Sequence, residues 1–192
     1  MLRRATLEDA DALSALASTC FTQTFGHLYA PDDLDHFIHE AYSPEVLRAE
    51  LADPKRPTWL LFEELSMDTE SAPSPAHVDE GSEDTLIGYV TVCPANLPHP
   101  EVKEGDGEVQ RLYLLQEYQG GGRGSRMLEH ALNWLEADGP RTLWIGAWSE
   151  NYGAQRLYGR YGFTKVGEYS FMVGDHADRE FILRRDAAVQ ES

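Results

Sequence analysis

Cysteine is scarce: Cys20 and Cys93 are the only two in 192 residues. Two thiols cannot build the disulfide framework of a small secreted domain, and as free thiols they point to a reducing compartment. Long apolar runs are absent as well, and nothing approaches the ~20 residues that span a bilayer. The opening Met1-Leu2-Arg3-Arg4-Ala5-Thr6 has no apolar stretch behind its arginines and does not read as a signal peptide. A cytoplasmic protein with no membrane partner is expected. Basic residues are few, 16 against 33 acids, for a net charge of −17. A polyanion would be repelled by such a chain rather than gain affinity from counterion release, which excludes nucleic acid.

What is present suffices for a core. Hydrophobic residues make up 42% of the chain, and its length suits a single domain over 1–192. Thr6-Leu7-Glu8-Asp9 reads as a helix start with a hydroxyl cap and acids in the first turn. Leu13, Leu16, Ala17, Cys20 and Phe21 follow at helical spacing. Further helices are expected over 31–42 and 43–51, the latter opened by Ser43-Pro44 and closed by Asp53-Pro54. Strands are expected over 58–63 and 85–93. Between them, 66–84 holds six acids, Pro73 and Pro75 but no Lys or Arg, and reads as a long mobile hairpin loop. Without those six, 27 acids still face 16 bases, so the acidity is not confined to the loop. A second proline-bearing loop covers 94–107. Strand 108–115, helix 122–136, strand 142–148, helix 151–161 and strands 163–173 and 179–184 complete the order. The mixture predicts an α/β fold, a three-layer α/β/α sandwich around a mixed, mainly antiparallel twisted sheet.

Gln119-Gly120-Gly121-Gly122-Arg123-Gly124-Ser125 lies between a strand and a helix. N–H groups at a helix start lack intrahelical partners and sit at the positive end of the dipole. Glycines let a diphosphate come close to them, and Arg123 or Arg126 would add charge. The turn has no Gly-Lys-Ser/Thr, which disfavours an NTP-hydrolysing P-loop. A dinucleotide fingerprint counted from Gly122 closes on Met127, and counted from Gly120 on Ser125, so its third glycine is missing. The strands around the turn do not read as a clean parallel βαβ unit.

Twenty-seven residues beyond Gly124 begins Asn151-Tyr152-Gly153-Ala154-Gln155-Arg156-Leu157-Tyr158-Gly159-Arg160-Tyr161-Gly162-Phe163. Gln119-x-x-Gly122-x-Gly124 followed by Asn151-x-x-Ala154-x-x-Leu157-Tyr158-x-Arg160-x-Gly162-Phe163 resembles the two motifs of the GNAT superfamily of N-acetyltransferases. The resemblance implies acetyl-CoA as cosubstrate, bound where two strands splay apart. It implies that Leu112, Tyr113 and Leu114 offer backbone to the pantetheine and that Gly120, Gly121, Gly122, Arg123, Gly124 and Ser125, after Gln119, hold the pyrophosphate. Asn151 would hydrogen-bond the pantetheine and Tyr158 would lie beside the sulfur. The helical stripe of Ala154, Leu157, Tyr158 and Tyr161 also allows Tyr158 a plain core role. Thr24-Phe25-Gly26-His27-Leu28-Tyr29 and Trp148-Ser149-Glu150-Asn151 are similar to the bacterial polyamine acetyltransferases of the PaiA group.

Such a reaction needs an amine to attack a thioester carbonyl. A lysine-like amine is neutral only about once in 2,500 at pH 7, which costs about 4.6 kcal/mol, so the site must remove a proton. Glu108 is the candidate, since an extended strand would set it on one face with Gln110, Leu112 and Leu114; a solvated acid at a strand start is the alternative. Backbone N–H groups over 111–115 would serve the oxyanion, each worth about 3 kcal/mol, and Tyr158 would protonate the sulfur. No cysteine has a base nearby in sequence. His36 and His39 lie three apart without a third ligand, so no metal is expected.

The expected acceptor is a small-molecule amine, specifically a polyamine, with Asp32, Asp33 and Asp35 placing carboxylates near its mouth. Protein N-terminal or lysine acetylation and a non-catalytic acetyl-CoA-binding module are the competing readings. A homodimer is compatible with the sequence.

Overall fold

Alternation along the central strands requires cover on both sides of a sheet. In 86–94, Tyr89 points to one face and Val90 to the other, and both are buried. A computed structural model of the chain describes residues 1–63 and 85–188. Among the described residues there are seven strands: β1 (Leu2–Arg4), β2 (Thr58–Phe62), β3 (Leu86–Pro94), β4 (Gly107–Leu114), β5 (Leu143–Trp148), β6 (Thr164–Val173) and β7 (His176–Arg185). They join in the order β1-β2-β3-β4-β5-β7-β6. Every pairing is antiparallel except that of β4 with β5.

The helices are α1 (Ala10–Phe25), α2 (Pro31–Tyr42), α3 (Pro44–Ala52), α4 (Arg123–Leu135) and α5 (Tyr152–Arg160). On one face Leu13, Leu16, Phe21 and Leu47 pack on Leu60 and Tyr89. On the other, Met127, Leu128 and Leu132 of α4 and Tyr158 of α5 pack on Val90, Val109, Leu143 and Ile145. These are the three layers that the mixed pattern predicts. The Asp9 carboxylate accepts the Thr6 N–H at 2.7 Å and both guanidinium nitrogens of Arg3, and that partnership pulls it down to about 2. A short 3-10 turn, Leu7–Asp9, therefore precedes α1. Pro44 bars α2 from running on, and the Ser14 hydroxyl donates to the C-terminal end of α2 at Tyr42 O, 2.6 Å away.

Three expectations need correction. The N-terminal residues form an edge strand, β1, which three residues are too short to announce. The glycine-rich turn does lie in a parallel unit, β4–α4–β5, although its pairing stops after Gly107↔Leu143 and Glu108↔Trp144. Finally, β4 is not regular. Its register with β3 slips between Thr91↔Arg111 and Val92↔Val109, leaving Gln110 as an extra residue. One inserted residue reverses the side-chain parity of everything beyond it. Val109, Leu112 and Leu114 pack toward α4, whereas Arg111 bonds Glu50 of α3 and Tyr113 packs with the α1–α3 layer. Glu108 thus faces the α1–α3 side and does not share a face with Leu112 and Leu114. The acidic loop expected over 66–84 lies outside the described residues.

Candidate active site

The early end of the β4–β5 pairing sets the site. Beyond Glu108 the two strands diverge, and the edge of β4 toward β5 carries no further ladder. The opening is a cleft of about 540 Å³. Leu112, Tyr113, Leu114, Gln119, Gly120, Gly122, Gly124, Ser125, Asn151 and Tyr158 all line it. Gly121 and Arg123 stand in the turn but not on the cleft wall. The Arg123 guanidinium folds back toward Tyr118, reaching its carbonyl at 3.4 Å. Arg156 and Arg160 line the cleft instead; four residues apart on a helix, they share a face, a signal the motif contained but polar spacing alone did not single out.

The turn is built by backbone conformation. Gly120, Gly121 and Gly122 have φ of 86°, 57° and 77°, a region costly for any residue with a Cβ. A Cβ added at Gly120 or Gly122 would meet nothing within 4 Å, so the space above the turn is open to a ligand. The first helical bond, from Arg126 N–H to Gly122 O, is 3.0 Å, so the N–H groups of the first turn precede the ladder. Asn151 caps α5: its side-chain oxygen accepts from Ala154 N–H at 3.0 Å. That bond leaves its NH₂ group as the donor toward the cleft. Tyr158 is 6% exposed and packs edge-on against Phe163. Burial, and then the charge of Glu180, push its phenol up to about 12, so it keeps its proton.

A second space of about 420 Å³ adjoins the cleft on the α1–α3 side. Eight of its lining residues are aromatic: Phe21, Phe25, Tyr29, Phe37, Tyr42, Tyr113, Tyr169 and Phe171. Two are carboxylates, Glu108 and Glu180. Glu108 accepts Asn96 N–H at 2.9 Å, which ties the 95–106 loop to the pocket rim, and burial raises its carboxyl above the ordinary range. Glu180 of β7 stands opposite Trp148 and Tyr169. Burial and then the neighbouring Asp178 push it up to about 7. Sequence reasoning missed Glu180. A lone Glu in a terminal strand looks like a solvated position, and only the pairing of β7 between β5 and β6 turns it inward. Arg111 adds no free cation, because Glu50 holds its guanidinium at 2.5 and 3.2 Å.

Other candidates fall away from the site. Asp32, Asp33 and Asp35 do not line the pocket. Asp32 and Asp35 are exposed, and the Asp33 carboxyl packs on Gly174 in the β6–β7 turn. Cys20 and Cys93 are buried, with both thiols pushed up to about 12 by burial. His36 pairs with Glu40 at 3.3 Å, and among the described residues no group of three metal-ligating side chains forms. No helix of the described residues is long and apolar enough to cross a membrane.

Residues 35–163, about two thirds of the chain, match the model of the acetyltransferase (GNAT) family. This chain belongs to that family. It is an N-acetyltransferase, and its acyl donor is acetyl-CoA. An uncharacterized N-acetyltransferase from the pepI 3′ region of Lactobacillus delbrueckii subsp. lactis is 26% identical over 93% of this chain and 92% of its own. One from Mycobacterium tuberculosis is 24% identical over 94% and 99%. Among solved structures, the PaiA N-acetyltransferase of Thermoplasma acidophilum in complex with coenzyme A superposes with a TM-score of 0.69 at 20% identity, covering 97% of this chain and 98% of that one. A ribosomal-protein-alanine N-acetyltransferase of Brucella melitensis gives 0.59 at 16%, covering 97% and 99%. At these identities the likeness shows the fold alone, and a fold does not choose the acceptor.

Proposed function

We propose that this GNAT enzyme transfers acetyl from acetyl-CoA to a primary amine of a small polyamine, of the spermidine or spermine kind. The observation that carries the reading is the junction of two spaces at the β4–β5 splay. One is a backbone-lined cleft with a glycine turn, the other an aromatic pocket with two carboxylates. In the cleft, the turn at Gly120, Gly122, Gly124 and Ser125 receives the diphosphate on backbone N–H groups. The free edge of β4 at Leu112, Tyr113 and Leu114 pairs with the amide groups of the pantetheine, and the Asn151 NH₂ donates to it. The same preorganised edge offers N–H groups where negative charge develops on the carbonyl oxygen. Tyr158 holds a proton beside the departing sulfur. Glycines whose Cβ would project into open space support the fit of acetyl-CoA to these residues.

The acceptor assignment rests on the pocket. Aromatic faces and carboxylates together favour an organic cation, and the one arginine lining it is neutralised by Glu50. A volume of about 420 Å³ lies within the range of small-molecule sites, which favours a free amine over a protein side chain. Glu108 supplies charge at this pocket and fixes the loop that carries Asn96 and Leu97. The seven strands share one sheet, which supports reading 1–192 as one catalytic domain, and two buried free thiols support a cytoplasmic setting.

The test is release of CoA thiol from acetyl-CoA across a panel of polyamines, amino acids and peptides. Spermidine should exceed a neutral-tailed amine of equal length by at least about tenfold in kcat/KM, the factor that 1.4 kcal/mol of added charge recognition gives. Equal rates for the two amines, or activity confined to peptides, would refute the polyamine assignment.

A further inference from the structure

Among the described residues, the donor cleft and the acceptor pocket share six that line both: Phe25, Gln110, Arg111, Tyr113, Gly146 and Glu180. An amine held in one space and a thioester held in the other meet against these six. Phe25, Gly146 and Gln110 have no group that takes up a proton at neutral pH. Arg111 is already cationic and ion-paired. Burial holds the Tyr113 phenol well above its ordinary value, fully protonated. Glu180 alone carries lone pairs that can accept a proton there. Tyr158 lines only the cleft, and Glu108 only the pocket.

Resting on the acetyl-transfer reading above, we propose that Glu180 is the catalytic base that takes the proton from the acceptor ammonium. Its place is prepared by Gly146 on β5. A Cβ at Gly146 would lie 4.0 Å from Glu180 Oε2, 3.3 Å from the Tyr169 hydroxyl and 3.5 Å from Leu97. A larger residue there would fill the floor on which the two spaces join. Glu108 is less suited to the task, since it already accepts a backbone hydrogen bond from Asn96 and faces only the pocket.

The protons balance as follows. The ammonium leaves its first proton on Glu180, which passes it to solvent. The neutral nitrogen attacks the thioester carbonyl, forming the C–N bond as the carbonyl π pair moves to oxygen. As that pair returns, the C–S bond breaks, Tyr158 protonates the sulfur and the nitrogen's second proton goes to Glu180. That proton restores Tyr158 through water, so each turnover forms one amide and one thiol and releases one proton. The two groups are coupled, because the charge of Glu180 raises the Tyr158 phenol. Filling Glu180 with a proton therefore makes Tyr158 a readier acid.

After burial, Asp178 on its own strand is the group that raises Glu180, and the charge of Glu180 in turn raises the phenols that face it: Tyr29 before α2, Tyr113 on β4, Tyr158 on α5 and Tyr169 on β6. Glu108 and Arg111 line the same pocket. Asp178 is itself engaged by the Tyr29 hydroxyl and by His176.

The experiment compares Glu180→Gln with the unaltered enzyme in three measurements. The first is steady-state kinetics with the best amine of the panel. kcat should fall by about 10²-fold or more, the range of base catalysis, a larger change than any rise in the KM for the amine, which Glu108 and the aromatic faces still bind. In the unaltered enzyme kcat/KM should rise through about pH 7, as the direction and size of the Glu180 shift require, and E180Q should lose that limb. The second is carboxyl ¹³C NMR of the ligand-free proteins, in which one resonance titrating near neutrality should vanish in E180Q. The third is acetyl-CoA calorimetry, where unchanged affinity shows an intact fold and cleft. Should E180Q not fold, Glu180→Asp carries the test, with a smaller loss in kcat and a displaced pH limb. Full kcat in the variant, a loss confined to KM, or a pH limb that persists would overturn the proposal. An unaltered enzyme that acetylates no amine in the panel overturns the enclosing reading and this proposal with it, and is distinguished by appearing without any substitution.

Discussion

The two halves of the proposed active site, the donor cleft and the acceptor pocket, are made in different ways. The donor cleft draws mainly on β4, the glycine turn, α4's first residues, β5 and α5, which lie close together in sequence, joined by Thr24 and Phe25 of α1 and Glu180 of β7, and its turn and β4 edge offer backbone groups. The acceptor pocket gathers side chains from α1, α2, the 95–106 loop, β4, β6 and β7, elements far apart in the chain, and it presents rings and carboxylates. A backbone site needs glycines at fixed spacing and tolerates little else, whereas a side-chain site can be assembled from many combinations. The contrast explains how a shared donor half can serve a fold that does not itself choose the acceptor.

The largest expected effect tests whether the donor half carries chemistry as well as binding. Tyr158→Phe should lower turnover by about 10²-fold, the low end of acid catalysis, with acetyl-CoA affinity unchanged by calorimetry. Unaltered turnover would reduce Tyr158 to a packing residue and leave the donor half purely a binding surface.

Gly122→Val addresses the backbone nature of the cleft. At a φ of 77° a β-branched residue costs on the order of 1–2 kcal/mol of stability, and its side chain enters the space above the turn. Acetyl-CoA affinity should fall by at least about tenfold, read by calorimetry below the melting transition. Retained affinity in a folded variant would place the diphosphate elsewhere.

A third prediction concerns the electrostatic character of the acceptor half. Burial and Asp178 raise the folded-state carboxyl of Glu180 to about 7, above the unfolded value. Its contribution to stability is therefore fully present below about pH 4.5 and is lost as pH rises through about 7. Chemical denaturation of E180Q and the unaltered protein should show the variant gaining, from pH 4.5 to pH 8, on the order of 2 kcal/mol relative to the original. A difference that does not vary with pH would mean that Glu180 is as well solvated in the folded chain as in the unfolded one.

The smallest effect separates pocket charge from surface charge. Asp32→Asn with Asp35→Asn should change kcat/KM for spermidine by less than about twofold, because exposed charges contribute about 0–1 kcal/mol each and neither residue lines the pocket. A loss of tenfold would return the acidic surface to the acceptor's recognition.

Legibility in the sequence followed the same division. Helical and strand periods located almost every element, because each buries one stripe or one face. Among the described residues, β1 and the short 3-10 turns were missed: three residues carry no period. The glycine turn and the Asn151–Tyr158 helix were readable because a left-handed turn admits few residues and a helix cap selects Asn. Glu108 was found as a residue but set on the wrong face, because the extra residue at Gln110 leaves no mark in the pattern of apolar positions. Arg123 was read as a phosphate ligand from its neighbourhood, but its side chain turns back on Tyr118.

By itself, then, the sequence determined the three-layer order of elements, the position of the glycine-rich turn and the placing of Tyr158 on a short capped helix. Those features depend on spacing within one segment, and spacing is written in the chain. Tertiary structure alone decided the splay of β4 from β5, the reversal of parity at Gln110 and the placing of Glu180 on the cleft that Tyr158 lines. Each of these depends on which strands lie side by side and where their hydrogen bonding stops, and pairing between residues far apart is set by the packing of the whole sheet between its two helical layers.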